Sequence, residues 1–576
     1  MPVTGIVGLG SAGEALLHRV VDAGRPVVAV DTDLDVLARV ARRLKAVAGE
    51  GPGRAPVTFT ADHALLRDAR LVVECVPDEA AAKSAALARI VAACPPGTAV
   101  ITTTAQLSVP GLALASGRPA DVAALHLFTP PWPGAPVRPV RTALTSQETA
   151  AALEALVTDT ALAPVAADGR AAADATALVL GFLNRAVILL DEGYATHTAI
   201  DTAMRLGCAL PAGPFQLLDR IGLDAAHRAL TGLWRSTGDS AFEPAPRLSR
   251  MVAAERLGVK TSDGFYAYDE RGEPLETAPD GPADRADARP VGRVGVLGSG
   301  AMARGIAEVT ATAGCPTVLV ARSAGKAQEA LAAVDGSLTR AVRRGKVTAQ
   351  AKASARQLLE GADDMAALAG CDLVIEAVAE DLDVKRALFA RLGEVCAPGT
   401  VLATTTSSLS VTACAEASGR PADVVGIHFF NPAPVMRLVE LVRTDVVDPG
   451  SWATARAFCD RLGKSVVACP DRTGFIVNSL LFPYLGAALA LLERPGCGIE
   501  ETDAAVQHGF GFPMGPFALL DTIGLDVSLT ISHRLHERFK TPQYRPSPAL
   551  EQLVAAGLLG RKNGRGLRTA GARGGR

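Results

Sequence analysis

The chain of 576 residues repeats itself once, and this repeat governs how it can fold. Gly213-Pro214-Phe215, Leu217-Leu218-Asp219 and Ile221-Gly222-Leu223-Asp224 recur as Gly515-Pro516-Phe517, Leu519-Leu520-Asp521 and Ile523-Gly524-Leu525-Asp526, a constant 302 residues later. The same spacing relates Val72-Val73-Glu74 to Val374-Ile375-Glu376, and His126 to His428. Near the start of each half, Gly8-x-Gly10 pairs with Gly298-x-Gly300 at a spacing of 290, so the second half holds 12 extra residues before Glu376. The repeat unit is about half the chain, so the chain is two copies of one unit. Its length exceeds a single core, and three to five domains are expected.

Hydrophobic residues make up 49% and charged residues 20%, which suits a well-cored globular protein. A net charge of -2 gives no global attraction to nucleic acid or anionic lipid. The ten cysteines form no C-x-x-C pair and sit mostly in apolar runs, so buried free thiols and no metal site are expected. Thr4-Gly5-Ile6-Val7-Gly8 enters a strand without a charged leader, and no run of about 18 apolar residues escapes charge or Pro/Gly breaks. No signal peptide or membrane span is expected, and the cytoplasm is the expected location.

Each half begins with short β-branched runs alternating with amphipathic stretches, which predicts a parallel sheet covered by helices. In the second half the expected strands are Arg293–Leu297, Thr317–Val320, Leu373–Ala377, Val401–Thr404, Val424–Ile427, Arg437–Val442 and Ser465–Ala468. Helices follow over Phe475–Glu493, Ile499–Gly509 and Gly515–Arg538. The fold class is therefore α/β plus all-α, with two tandem repeats, each a Rossmann-type dinucleotide-binding domain followed by a helical C-terminal domain. The expected boundaries are 1–168, 169–268, a charged Pro/Gly-rich linker 269–290, 291–470 and 471–576.

The glycine loops carry the nucleotide reading. Gly8, Gly10 and Gly13 follow a strand and open a helix, where backbone N–H groups and the helix dipole favour a pyrophosphate. Asp31 ends the next strand, where an acid binds a ribose diol. The second loop has Gly298, Gly300 and Ala303, and Ala321 replaces the acid beside Arg322 and Ser323. Those two residues suit a 2′-phosphate, so NADP(H) is the expected preference there; a solvated Arg322 with NAD bound is the alternative.

The second half reads Thr405-Thr406-Ser407-Ser408-Leu409, then His428-Phe429-Phe430-Asn431-Pro432, then Glu440. The first half reads Thr103-Thr104-Ala105-Gln106-Leu107, His126-Leu127-Phe128-Thr129-Pro130 and Arg138. Together with Glu380, Lys385, Gly474-Phe475-Ile476-Val477-Asn478 and Pro513-Met514-Gly515-Pro516-Phe517, the second set resembles the 3-hydroxyacyl-CoA dehydrogenases, and the resemblance covers nearly the whole chain twice. It implies NAD(P)-dependent oxidation of a 3-hydroxyacyl thioester. An imidazole suits removal of a hydroxyl proton near neutral pH, which makes His428 the candidate base rather than a core histidine. By the resemblance, Glu440 orients His428, Ser407 and Asn478 donate to the substrate oxygen, and Asn431 orients the histidine loop. Glu380 and Lys385 are implied at the cofactor.

The extra residues fall near 338–348, where the resemblance implies a helical hairpin on the CoA phosphates. Arg343, Arg344 and Lys346 supply charge there, and an ordinary solvated basic face is the alternative reading. Thr405 and the ending Leu567-Arg568 depart from the family pattern. In the first half Ala105 cannot donate, Arg138 cannot accept from His126, and Thr176 stands where Asn478 would align. That half is expected to be catalytically dead, still able to bind a dinucleotide, and paired with the second half as family subunits pair, with a homodimer also open. The other readings are a dehydrogenase of a free hydroxy acid (sugar acid or carnitine type) and a non-catalytic nucleotide-binding scaffold. An acyl carrier protein could replace CoA.

Overall fold

The computed structural model describes residues 2–48, 55–104, 107–131, 135–165, 169–275, 287–494 and 496–568. Ala105, the shortened segment 49–54 and linker residues 276–286 lie outside the described residues.

The first half builds strands β1 Val3–Val7, β2 Val27–Val30, β3 Val57–Thr60, β4 Ala69–Glu74, β5 Ala99–Thr102, β6 Val122–Leu127, β7 Pro136–Val140 and β8 Ala163–Pro164. The second builds β9 Val294–Leu297, β10 Thr317–Val320, β11 Leu359–Ala362, β12 Leu373–Glu376, β13 Val401–Thr404, β14 Val424–Phe429, β15 Leu438–Arg443 and β16 Ser465–Pro470. The sheet orders are β3-β2-β1-β4-β5-β6-β7-β8 and β11-β10-β9-β12-β13-β14-β15-β16. Val72, Val73, Val374 and Ile375 are fully enclosed, as central strands covered on both faces require.

Three sequence expectations change. The sheets are not wholly parallel: β7 runs antiparallel to β6, and β15 to β14, because each pair is joined without a crossover helix. Strand β11 was not expected; Leu359-Glu360-Gly361-Ala362 lacks β-branched residues and buries only Leu359. The last expected helix is two, Pro516–Ile523 and Leu525–Phe539, broken at Gly524. The extra residues do form a hairpin, with helices Ala324–Arg343 and Ala349–Gln357.

Helix Gly169–Asp191 packs against Val477–Leu491 and Ile499–Phe510 of the other half, within a hydrophobic cluster drawn from both helical regions. Its segment Arg170–Asp191 is long and apolar enough to cross a membrane, although Asp174, Gly181 and Arg185 interrupt it, and 56% of its apolar window is buried inside the protein. Burial in this core accounts for its apolar character. Tyr194 donates to the Pro470 carbonyl at 3.1 Å, and Arg472 pairs with Glu192 at 2.5 Å.

At the same place in both sheets a buried lysine meets a buried glutamate. Lys385 Nζ lies 2.8 Å from both Glu376 oxygens, which also accept from Val378 N–H and Thr404 Oγ1. Lys83 repeats the arrangement with Glu74, Val76 and Thr102. All four charged side chains are enclosed. Removing one partner strands a charge. Lys83→Met is expected to cost about 3–5 kcal/mol in chemical denaturation. Glu74→Gln combined with Lys83→Met should recover part of that loss.

Candidate active site

Strands β14 and β15 place His428 directly opposite Glu440. His428 Nδ1 meets Glu440 Oε2 at 2.7 Å. The second oxygen, Oε1, accepts from Ile476 N–H at 3.0 Å and Val477 N–H at 2.9 Å. These N–H groups begin helix Val477–Leu491, whose positive end favours the carboxylate. The turn that presents them has Gly474 at φ +82° and Phe475 at φ +45°. Glu440 is wholly buried, and His428 is 7% exposed, with Phe430 and Phe475 rings 4.6 and 5.6 Å from its own. The dyad fixes the tautomer: a proton on Nδ1 leaves Nε2 free to accept one.

Glu380 organises the neighbouring loop. Its Oε1 accepts from Thr406 Oγ1 at 2.6 Å, Ser407 N–H at 2.9 Å and Ser407 Oγ at 3.2 Å. Asn478 Nδ2 reaches the Ser407 carbonyl at 3.4 Å, joining loop to helix. Burial raises the Glu380 carboxyl, but Lys385, Thr406, Ser407 and Arg534 more than offset it, and the group lies below the ordinary carboxylate range. The Lys385 side chain is enclosed, pairs with Glu376 at 2.8 Å and reaches Glu380 at 3.5 Å. Asn431 is exposed where the chain leaves β14.

Sequence reading missed Arg534. It donates to Ser408 Oγ at 2.9 Å and to the Glu380 carbonyl at 2.6 Å. The repeat carried a signal, because the equivalent position in the first half is Gly232. The N–H pair under Glu440 was missed as well, since backbone donors leave no mark in residue type.

The cofactor loops fit a dinucleotide. Gly298 sits at φ +133°, where a Cβ would collide with the Ala377 carbonyl oxygen. Gly300 caps helix Ala301–Thr312 and faces open space, which leaves its first N–H groups accessible to a pyrophosphate. The Ala303 methyl is accommodated in the core at the third position. Arg322 and Ser323 are exposed, and Ser323 Oγ accepts from Lys326 N–H. In the first half, Asp31 accepts from Leu9 N–H at 2.7 Å within the glycine loop. A cleft of about 1390 Å³ there is bordered by Gly8, Gly10, Asp31, Thr129, Thr176 and Phe510; Gly13 packs beneath it against Gly8. Arg343, Arg344 and Lys346 are exposed at the hairpin tip.

The first half cannot copy the dyad. His126 stands opposite Arg138, its Nε2 is buried without a hydrogen-bond partner, and burial, then Arg138, lowers it to about 4. Ala172 replaces Gly474, and helix Gly169–Asp191 runs straight through the position of the turn. Thr176 donates to the Ala172 carbonyl along that helix. His126 thus prefers its neutral form when folded. Its contribution to stability is present above its unfolded value of 6.5 and is lost as pH falls towards about 4. Wild type should therefore lose stability relative to His126→Gln across that window, as read from denaturation midpoints.

Residues 3–170 and again 293–472 match the 3-hydroxyacyl-CoA dehydrogenase NAD binding domain; residues 175–268 and 474–570 match the C-terminal domain of that family. The 3-hydroxybutyryl-CoA dehydrogenase of Mycobacterium tuberculosis (strain H37Rv) is 45% identical over 279 residues, covering 48% of this chain and 98% of that protein. Human mitochondrial hydroxyacyl-coenzyme A dehydrogenase is 39% identical over 284 residues, covering 48% and 90%. The crystal structure of 3-hydroxybutyryl-CoA dehydrogenase from Escherichia coli K12 matches 96% of this chain and 99% of its own with a TM-score of 0.53 at 19% identity, which shows a shared fold. The chain belongs to the 3-hydroxyacyl-CoA dehydrogenase family, NAD-binding oxidoreductases acting on the CH–OH group of hydroxyacyl-CoA, with both family domains present twice.

Proposed function

We propose that the second half alone interconverts a 3-hydroxyacyl and a 3-oxoacyl thioester, and that the first half is a nucleotide-binding unit without turnover. The observation that carries this reading is the enclosed His428–Glu440 dyad at 2.7 Å, set against His126 and Arg138 at the equivalent places. A bound nicotinamide supplies the hydride acceptor. His428 Nε2 takes the hydroxyl proton as the alcohol is oxidised, and Glu440 stabilises the resulting imidazolium through Nδ1–H. Ser407 and Asn478, which are joined through the Ser407 carbonyl, are read as donors to the substrate oxygen, which gains charge in the reverse reduction. The relatives' names favour a 3-hydroxybutyryl-CoA-like substrate. Exposed Arg343, Arg344 and Lys346 suit the CoA phosphates, and this separates the reading from one on a free hydroxy acid.

The pairing of the two helical regions within one chain stands in for pairing between subunits. The second cofactor site is read as accepting NADP(H), because Ala321 is apolar while Arg322 is exposed. One observation favours NAD instead: Asp363, just after β11, accepts from Ala324 N–H at 3.1 Å at the start of helix Ala324–Arg343, beside Arg322 and Ser323.

In the full chain, His428→Gln should lower kcat for acetoacetyl-CoA reduction by roughly 10²–10⁴-fold. His126→Gln should leave turnover intact at neutral pH. Near-normal kcat in the first variant, or a large loss in the second, would refute the assignment. Parallel rates with NADH and NADPH decide the cofactor. Ala321→Asp should shift the ratio towards NADH, whereas a strong NADH preference in the wild type would sink the NADP reading.

A further inference from the structure

The first half reaches the catalytic dyad of the second. Helix His197–Gly207 packs against β15, β16 and helix Val477–Leu491. At its end, Gly207 lies against three side chains. A Cβ there would be 2.9 Å from Leu438 Cδ2, 3.1 Å from Val477 Cγ2 and 3.4 Å from Phe430 Cε1. Each of the three bears on the dyad. Val477 donates its N–H to Glu440 Oε1, the Phe430 ring lies 4.6 Å from His428, and Leu438 precedes Glu440 by two residues on the same strand. Leu438 and Val477 are buried.

Other groups close the same region. Cys208, next to Gly207, is raised to about 12, by burial first and then by the charge of Glu440. Burial and then Glu440 also raise Cys469 on β16, and Tyr194 is raised by burial, Cys469 and Glu440. Uncharged thiols and a phenol therefore lie around the catalytic carboxylate, two of them from the first half. Such surroundings exclude water and strengthen the dyad's hydrogen bonds.

The repeat supplies an internal control. Gly509, 302 residues after Gly207, lies near the end of helix Ile499–Phe510, which packs on the first half. A Cβ on Gly509 would be 2.6 Å from the Phe128 ring, and Phe128 is the counterpart of Phe430. The packing is reciprocal across the two halves, but only one of the two contacts has a histidine–glutamate pair behind it.

We propose that Gly207 is a positioning residue for the reaction: the first half forms the rear wall of the second half's active site and holds Phe430 and Val477 against His428 and Glu440. The inference rests on the reading of His428–Glu440 as the catalytic dyad. A methyl at 207 would press on Leu438 and Val477, so any side chain there is accommodated only by displacing the dyad's neighbours. It touches neither substrate nor cofactor and acts through the dyad's neighbours.

The experiment compares four full-length variants, Gly207→Ala, Gly207→Ala with Leu438→Val, Gly509→Ala and His428→Gln, in acetoacetyl-CoA reduction and thermal melting. Gly207→Ala should lower kcat roughly ten- to a hundredfold, with KM for acetoacetyl-CoA within about twofold, because small displacements at reacting groups are costly. Its pH profile of kcat should be displaced from the wild type. Gly509→Ala should lose at least as much thermal stability while keeping the wild-type kcat and pH profile. Adding Leu438→Val to Gly207→Ala removes the tightest contact and should restore much of kcat; this double variant also serves if the single one does not fold. Equal effects at 207 and 509, or a normal kcat and pH profile for both chains altered at 207, would overturn the proposal. Normal turnover by His428→Gln would instead overturn the dyad reading beneath it.

Discussion

The buried Glu440 carboxylate ties the sheet to the helical region of the second half. One oxygen accepts from a histidine across an antiparallel strand pair, and the other accepts from two N–H groups at a helix start. A charge with no exposed surface persists only when such donors surround it. The reversal of β15 supplies the cross-strand register, and the turn at Gly474 supplies the N–H pair. The relative placement of sheet and helix in this half is thus written largely around one side chain.

The first half is the same architecture without that side chain. With Arg138 in place of the acid, a nest of N–H groups would have no anion to bind, and Ala172 lets helix Gly169–Asp191 absorb the turn. Serine, asparagine and glycine are replaced together with the glutamate, as expected when one interaction justified them all. The structural supports were retained. Asp219 accepts from Phe265 and Tyr266 N–H, and Asp521 accepts from Leu567 and Arg568 N–H. The departure Leu567-Arg568 therefore costs the second half little here, since this contact uses backbone groups and ignores residue type.

Much of this was legible in the sequence because side-chain identity carries it. The spacing of 302 residues aligned both copies, and β-branched runs located β10 and β13 to the residue. The dyad was legible because histidine and glutamate name their own chemistry. The features that escaped depend on backbone or distance. Strand β11 is a sparsely buried edge, and the N–H pair under Glu440 belongs to no residue type. Arg534 reaches the Glu380 loop from a helix about 150 positions away, beyond any local motif. The enclosure of Lys385 against Glu376 likewise depends on the fold rather than on its motif.

Retention of a half that lacks the dyad is explained by the packing. The helical regions share one apolar cluster, and helix Gly169–Asp191 is buried by two helices of the other copy. Deleting the first half would expose that face to water, at a cost proportional to the apolar area uncovered. The shared core thus ties the two halves together, while the His126 site of the first is left with its Nε2 buried without a hydrogen-bond partner. Two copies that bury a common core stay bound by that core even where the residues around their histidines differ.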